Sequence, residues 1–340
     1  MNVSCTNLIR LLGSSSLISD FPNKENKLSS VFFEASLSDE AQKRKVRVPI
    51  INLLRESLDN IALSAVVYAN SVLGARCNRN SGIIEMFGSI LGFVPYFGLL
   101  TDEGRKASWI VEINTTKKPE AQLLGSAIGM KVMEDVPYIK GLDGWIGTEL
   151  NDDACAYLKD FGAATASNGA VGLFHIENLT PEAKEQGVAL IKEGAQVYVI
   201  DDAELQHVQD NYPVIWKDKN AKPELCFVGC PHMTLKQMED WADAIGEKLK
   251  ANGMDKISVP TVFTASPAVI KELNKGVYAS KLASYGVIVS YICPLMYMNN
   301  PLCKKKAVIT SSNKLRTYTS ARFYKENEIL DIITAKEEKK

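Results

Sequence analysis

Apolar and polar positions along the chain change character three times. Residues 1 to about 45 are rich in Ser, Asn, Lys and Glu with little periodicity, which predicts a loosely ordered start. From Val46 the pattern tightens: Val48 to Leu54 reads as a short strand or a helix start, and Ile61 to Val72 is mostly apolar over a helical length. Gly88, Gly92 and Pro95 punctuate the apolar stretch from Gly82 to Gly98. After it, Trp109 to Ile113 reads as a strand, and a helix follows from Glu120.

Further on, the pattern predicts a helix over Asp152 to Phe161 and a buried strand over Gly169 to His175. A helix start follows, with Thr180 as N-cap and Pro181 at the first position. Strands are expected at Val197–Ile200, Leu225–Gly229, Ile257–Thr264 and Val287–Ile292, with helices near Leu235–Leu249 and Pro267–Ala283. Strands alternating with helices of this length predict an α/β fold whose mostly parallel sheets carry helices on both faces. Glu337 to Lys340 reads as a solvated charged tail.

With 340 residues, 46% of them hydrophobic, the chain is long enough for two or three such units. Its formal net charge of -1, with basic residues scattered, gives no footprint for nucleic acid or an anionic membrane surface and leaves small anionic substrates open. Seven cysteines at irregular spacing do not form a secreted disulfide framework, so a reducing cytoplasm is the expected location. The Leu8 to Leu12 run is interrupted by Arg10 and followed by Gly13 and serines, which makes a poor signal peptide, and no transmembrane helix is expected.

Four segments could carry chemistry. In Asn70-Ser71-Val72-Leu73-Gly74-Ala75-Arg76-Cys77-Asn78-Arg79 an apolar stretch turns abruptly into amide and guanidinium donors. Arg76 and Arg79, three apart, can grip a carboxylate or phosphate, or stand as solvated arginines after a capped helix. Cys226-Phe-Val-Gly-Cys230-Pro-His232 follows a strand, and Cys293-Pro294 follows another. Thiolates at the carboxyl ends of parallel strands sit where open sheets build sites and could converge on one metal centre, while each cysteine serves equally as a small buried hydrophobe. Zinc on Cys226, Cys230 and His232 is a further reading, with no second close pair to complete it. Thr310-Ser-Ser-Asn-Lys314 could cradle an anion with Lys314 as point charge, or be an ordinary turn. Nothing has the spacing of a Ser-His-Asp triad.

In this order the segments resemble the aconitase X family. The resemblance rests on Asn70 to Arg79, its sequel Pro95 to Arg105, Phe161-Gly-Ala-Ala164, Leu173-Phe-His175 and Leu179-Thr-Pro-Glu-Ala183. It continues through Gly229-Cys-Pro-His232, Cys293-Pro294 and Thr310 to Lys314, covering roughly residues 59 to 335. It implies an aconitase-like α/β fold of several subdomains, with soft divisions near residues 150 and 235, between a divergent segment 1–58 and a charged tail 336–340. It further implies a hydro-lyase large subunit that uses an iron-sulfur cluster as Lewis acid to remove water from a small anionic hydroxy acid, with mevalonate 5-phosphate ahead of hydroxyproline. Cys230 and Cys293 would be two of three cluster ligands, and Asn70, Ser71, Arg76, Asn78, Arg79 and Lys314 would line the substrate site. A small swivel-domain subunit is the implied partner.

The chain also departs from the family pattern. The family's remaining cluster cysteine sits in a Thr-Cys-Thr-Pro-Tyr-like motif that nothing before Ile61 matches, and Cys5 lacks that setting. The usual Glu-Ser pair stands here as Ala62-Leu63, the usual His near residue 100 as Leu100, and the usual Thr of the Arg-Thr-Asn-Arg run as Cys77. These departures give the alternative expectation of a truncated, non-catalytic remnant or a binding subunit of the same fold.

Overall fold

The computed structural model describes residues 62–80, 94–298 and 300–336. The expected element at Val48–Leu54, most of the Gly82–Gly98 stretch, Cys5 and the charged tail lie outside them. By internal contacts the described chain forms two compact units, residues 62–210 and 211–336, with the break after Asp210.

The first unit carries helix α1 (Ala62–Ser71), strands β1 (Ala107–Ile113), β2 (Pro137–Lys140), β3 (His175–Ile176) and β4 (Ile191–Ile200), and helices α2 (Ala121–Val132), α3 (Asp152–Gly169) and α4 (Pro181–Gln186). The strands form an all-parallel sheet in the order β3-β2-β1-β4. Along β1 every second residue is buried, so Ala107, Trp109, Val111 and Ile113 share one face, as the period of 2 requires. Glu120 caps α2 by accepting from the Leu123 N–H at 2.6 Å, and Asn151 caps α3 through the Ala154 N–H at 2.9 Å.

The strand expected over Gly169–His175 is largely absent, because α3 runs past Phe161 to Gly169. Ala163, Ala164 and Ala166 keep it helical and buried, and the helix stops where Ala170 turns left-handed at φ 77°. The small residues also let α3 approach α2 closely. A Cβ on Gly129 would stand 2.7 Å from the Thr165 carbonyl oxygen, and one on Gly125 2.4 Å from that of Phe161. Phe161 then packs edge-on against Phe174, with ring centroids 4.9 Å apart.

The second unit is a parallel sheet of β5 (Leu225–Met233), β6 (Thr261–Ala265), β7 (Val287–Ser290), β8 (Val308–Thr310) and β9 (Arg322–Phe323), in the order β7-β6-β5-β8-β9. Interior β6 is buried at every position, the signature of a strand covered on both faces. Helix α5 (Leu235–Asn252) buries Met238, Trp241, Ala242, Ile245 and Leu249, a single stripe at helical spacing, worth roughly 1.5–3 kcal/mol for each large apolar side chain. Its start is fixed by a capping box between Thr234 and Gln237. The helix expected over Pro267–Ala283 is split into α6 (Pro267–Leu273) and α7 (Tyr278–Tyr285), because Asn274-Lys275-Gly276 interrupts it. Short helices α8 (Pro294–Met298) and α9 (Asn313–Tyr318) follow β7 and β8.

Candidate functional site

In the second unit, chemistry gathers in the last part of β5 and past the ends of β7 and β8; β5 runs on to Met233, so Cys230 lies within the strand and not after it as the sequence suggested. The pairing of β5 with β6 slips between Val228↔Phe263 and Met233↔Ala265, so the strand bulges over the residues between. Gly229 makes the bulge possible: its φ is 105°, and a Cβ there would lie 2.4 Å from the Thr264 carbonyl oxygen. The Thr264 hydroxyl donates to the Gly229 carbonyl at 2.5 Å and holds the turn in place. Cys230, the next residue, lies within this bulge and is 6% exposed.

Cys293 lies just beyond β7 and directly before α8, and is partly buried. Although β6 separates their strands, the two sulfurs meet: the Cys230 thiol donates a hydrogen bond to Cys293. That bond, together with the Leu295 and Met296 N–H groups and the nearby Lys314 ammonium, lowers Cys293 to about 6. Donating the bond, and burial, push Cys230 well above the ordinary thiol range. The Ser312 hydroxyl also bonds Cys230.

Lys314 is 4% exposed, and burial pulls its ammonium below the usual lysine range while the two sulfurs oppose that shift. The expected Thr310–Lys314 turn is the start of α9. Ser312 caps it by accepting from the Leu315 N–H at 3.0 Å, which places Lys314 in the first helical turn beside the thiols.

In the first unit the 70–79 segment leaves the end of α1 and is tied inward. Asn70 donates to the carbonyls of Cys77 at 2.8 Å and Gly172 at 2.9 Å, and its amide oxygen accepts from the Cys77 N–H at 2.9 Å. Ser71 accepts from the Phe174 N–H, and Asn78 ties the Phe97 carbonyl to the Leu99 N–H. These three side chains, expected to line a substrate site, are engaged with backbone. Arg76 is 24% exposed, 2.6 Å from Asp102 and 3.7 Å from Glu182, and donates to the Leu100 carbonyl. The stem of Arg79 lies against Gly172, where a Cβ would come within 3.0 Å of it.

The organising cation of this unit, unmarked by spacing, is Arg105. It is 1% exposed and binds both Glu182 carboxylate oxygens through Nε, at 2.7 and 3.0 Å. Its Nη atoms donate to the Asn70 side-chain and backbone oxygens and to the Leu99 carbonyl. His175 donates through Nε2 to the Arg105 carbonyl at 2.8 Å, and burial holds it below the usual imidazole range. Arg105 and Glu182 are 77 residues apart, and no periodicity links them. Thr180 stands at the N-cap of α4 with Pro181 in its first turn, as expected, but its hydroxyl accepts from the Ile176 N–H at 2.9 Å and makes no cap bond to the helix.

Among the described residues no group of three or more His, Cys, Asp or Glu side chains is placed to hold a metal ion. Cys226, the proposed zinc partner, is fully buried in the apolar core of the second unit, where burial raises its thiol to about 12. The pair Cys230 and Cys293 offers two thiolates, which does not complete a three-thiolate iron-sulfur set, so the described residues alone do not fit that group. No helix among the described residues is long and apolar enough to cross a membrane.

Two all-parallel sheets flanked by helices, one of them carrying two cysteines and a buried lysine toward its strand ends, define an α/β protein. The particular family follows from direct comparison. The aconitase X first, second and third domains match residues 61–103, 107–210 and 223–334, and the chain belongs to the aconitase X family. It is 34% identical over 208 residues to the phosphomevalonate dehydratase large subunit of Thermococcus kodakarensis, covering 61% of this chain and 48% of that protein. It is 29% identical over 279 residues to the cis-3-hydroxy-L-proline dehydratase of Hypocrea jecorina, covering 77% of this chain and 44% of that one. The crystal structure of Thermococcus kodakaraensis aconitase X in its holo form superposes with a TM-score of 0.62 at 29% identity, over 78% of this chain and 65% of that one. The chain spans about half the length of the curated relatives it matches.

Proposed function

We propose that the chain is the large subunit of a hydro-lyase that removes water from a small anionic hydroxy acid, with mevalonate 5-phosphate the preferred substrate and a small swivel-domain subunit its partner. The observation that carries the reading is the meeting of Cys230, Cys293 and Lys314 toward the strand ends of a sheet whose family relatives are named dehydratases. In this reading an iron-sulfur cluster takes Cys230 and Cys293 as two of its ligands.

Each unit carries charged groups of its own. In the second, Lys314 is a buried point charge of the kind that meets an acidic group. In the first, Arg76 and Arg79 carry planar forks suited to a carboxylate or phosphate. Asn70, Ser71 and Asn78 act on the backbone, fixing the loop that presents the two arginines.

The test is an anaerobic preparation supplied with ferrous iron and sulfide, assayed for loss of water from mevalonate 5-phosphate and from cis-3-hydroxyproline, with and without a family small subunit. Turnover of mevalonate 5-phosphate with the small subunit, and a brown chromophore lost in Cys230→Ala and Cys293→Ala, is the expected result. A colourless, inactive chain under all these conditions overturns the reading in favour of a non-catalytic member of the family, which the incomplete ligand set favours.

A further inference from the structure

Basic residues that are scattered along the sequence are collected by the second sheet at one of its ends. Lys217, Lys219 and Lys222 lie in the segment that leads into β5, Lys304, Lys305 and Lys306 in the one that leads into β8, and Arg322 opens β9. Strands β5, β8 and β9 are parallel neighbours, so the three segments stand side by side at their amino ends, away from Cys293 and Lys314 at the carboxyl ends. Bonds between the segments hold them there. The Glu224 N–H donates to the Ala307 carbonyl at 2.9 Å, Arg322 to the Lys219 carbonyl at 3.3 Å, and the Ser320 hydroxyl to the Lys304 carbonyl at 3.4 Å.

In these segments seven cations stand against two carboxylates, Asp218 and Glu224, in a chain whose formal net charge is -1. Neither carboxylate is spent on a lysine: Glu224 accepts from the Ala307 N–H and Asp218 from the Asn220 N–H, each at 2.9 Å. All six lysines are exposed, and among the described residues none of them is in an ion pair. Charge segregated in this way draws an anionic partner and is lost on a mixed-sign surface.

We propose that this end of the second unit docks on an anionic lipid surface. Its apolar neighbours decide for lipid over nucleic acid. Ile215, 63% exposed, and Tyr318, 51% exposed, flank the bond from the Trp216 indole to the Ser320 carbonyl. A bilayer interface takes an apolar tip, a tyrosine ring and lysine stems together while the ammonium groups stay among the head groups. A phosphate backbone would leave Ile215 in water. The rings that could stack on bases are already engaged: Trp216 is buried under Arg322, and the Arg316 guanidinium covers Tyr212 at 4.0 Å. The inference is independent of the hydro-lyase reading, because no group of the carboxyl-end site takes part in it.

The experiment sediments the full chain with vesicles of phosphatidylcholine, alone or with about one third phosphatidylserine. The expected result is retention on the phosphatidylserine vesicles only, with release as salt rises from about 0.05 to about 0.5 M. Lys304→Glu, Lys305→Glu and Lys306→Glu combined should lower the partition at least about tenfold. The same change of net charge placed in the first unit, as Lys117→Glu, Lys184→Glu and Lys192→Glu, should lower it by less than about twofold. Ile215→Ser should lower it about threefold at every salt concentration, since it removes an apolar contact and no charge. A parallel filter assay with a fluorescent single-stranded RNA tests the other class of polyanion. Failure to bind phosphatidylserine vesicles, equal losses in the two triple variants, or tighter retention of the RNA that Ile215→Ser leaves unchanged overturns the proposal. A negative wild-type sedimentation overturns it whatever becomes of the variants.

Discussion

Each unit buries a cation, and the two cations are treated in opposite ways. Arg105 in the first unit is matched at every nitrogen: Glu182 takes its Nε, and Asn70 and Leu99 take its Nη groups. Lys314 in the second unit is equally withdrawn from water, yet the groups that shift its charge are two sulfurs and no carboxylate. A saturated buried charge is architecture, because every polar atom already has its partner and none is left for a ligand. A desolvated charge beside reactive thiols is a chemical resource, held at a cost in stability that packing elsewhere offsets.

The largest effect should come from breaking the saturated network. Arg105→Ala leaves Glu182 buried without its main partner, and chemical denaturation should show a loss of about 3–5 kcal/mol. Lys314→Met, equally buried, should change stability by less than about 1 kcal/mol or raise it, because it removes a desolvated charge and keeps the volume. Equal losses in the two variants would erase the distinction between the units.

Gly229→Ala should cost about 1–3 kcal/mol, since its backbone lies at positive φ and the new methyl meets the Thr264 carbonyl. An unchanged unfolding midpoint would mean that the bulge does not position Cys230.

The reactivity of Cys293 follows next. In the reduced, metal-free chain its alkylation should titrate near pH 6, because donors stabilise the thiolate. Removing a donor raises the midpoint, so at pH 7 alkylation should slow roughly tenfold in Cys230→Ala and by less in Lys314→Met, following the order of the two causes. Identical profiles in all three proteins would remove the electrostatic account of the site.

The smallest effect belongs to His175. Burial depresses its folded value, so the unfolded chain binds the extra proton first. Stability should therefore be full above about pH 6.5 and fall as the pH drops below it. His175→Gln should flatten that slope, a change to be read from denaturation midpoints between pH 5 and 7, and a wild-type-like slope would show that another group sets it.

Much of the architecture was legible in the chain. Trp109–Ile113, Leu225–Gly229 and the start of α5 at Thr234 are encoded in neighbours a few residues apart, and the structure places strands and a capped helix there. The misreadings also have local causes. Gly169 suggested a strand start, but the alanines before it prolong α3, and Asn274 to Gly276 stops a helix whose apolar spacing continues beyond them. Asn70, Ser71 and Asn78 read correctly as polar residues at the end of a buried element, yet their bonds run to backbone that sequence spacing cannot locate.

By itself the sequence determined the alternation of strands and helices, the place of Cys293 just after a strand, and the family, because periodicity, caps and motifs act over a handful of residues. Tertiary structure alone decided which groups meet. The order β7-β6-β5-β8-β9 carries the ends of non-adjacent strands over β6 and brings two cysteines and a lysine from distant segments together. Packing of α4 likewise delivers Glu182 to Arg105. Such pairings depend on loop closure and sheet order, which no short window of residues contains.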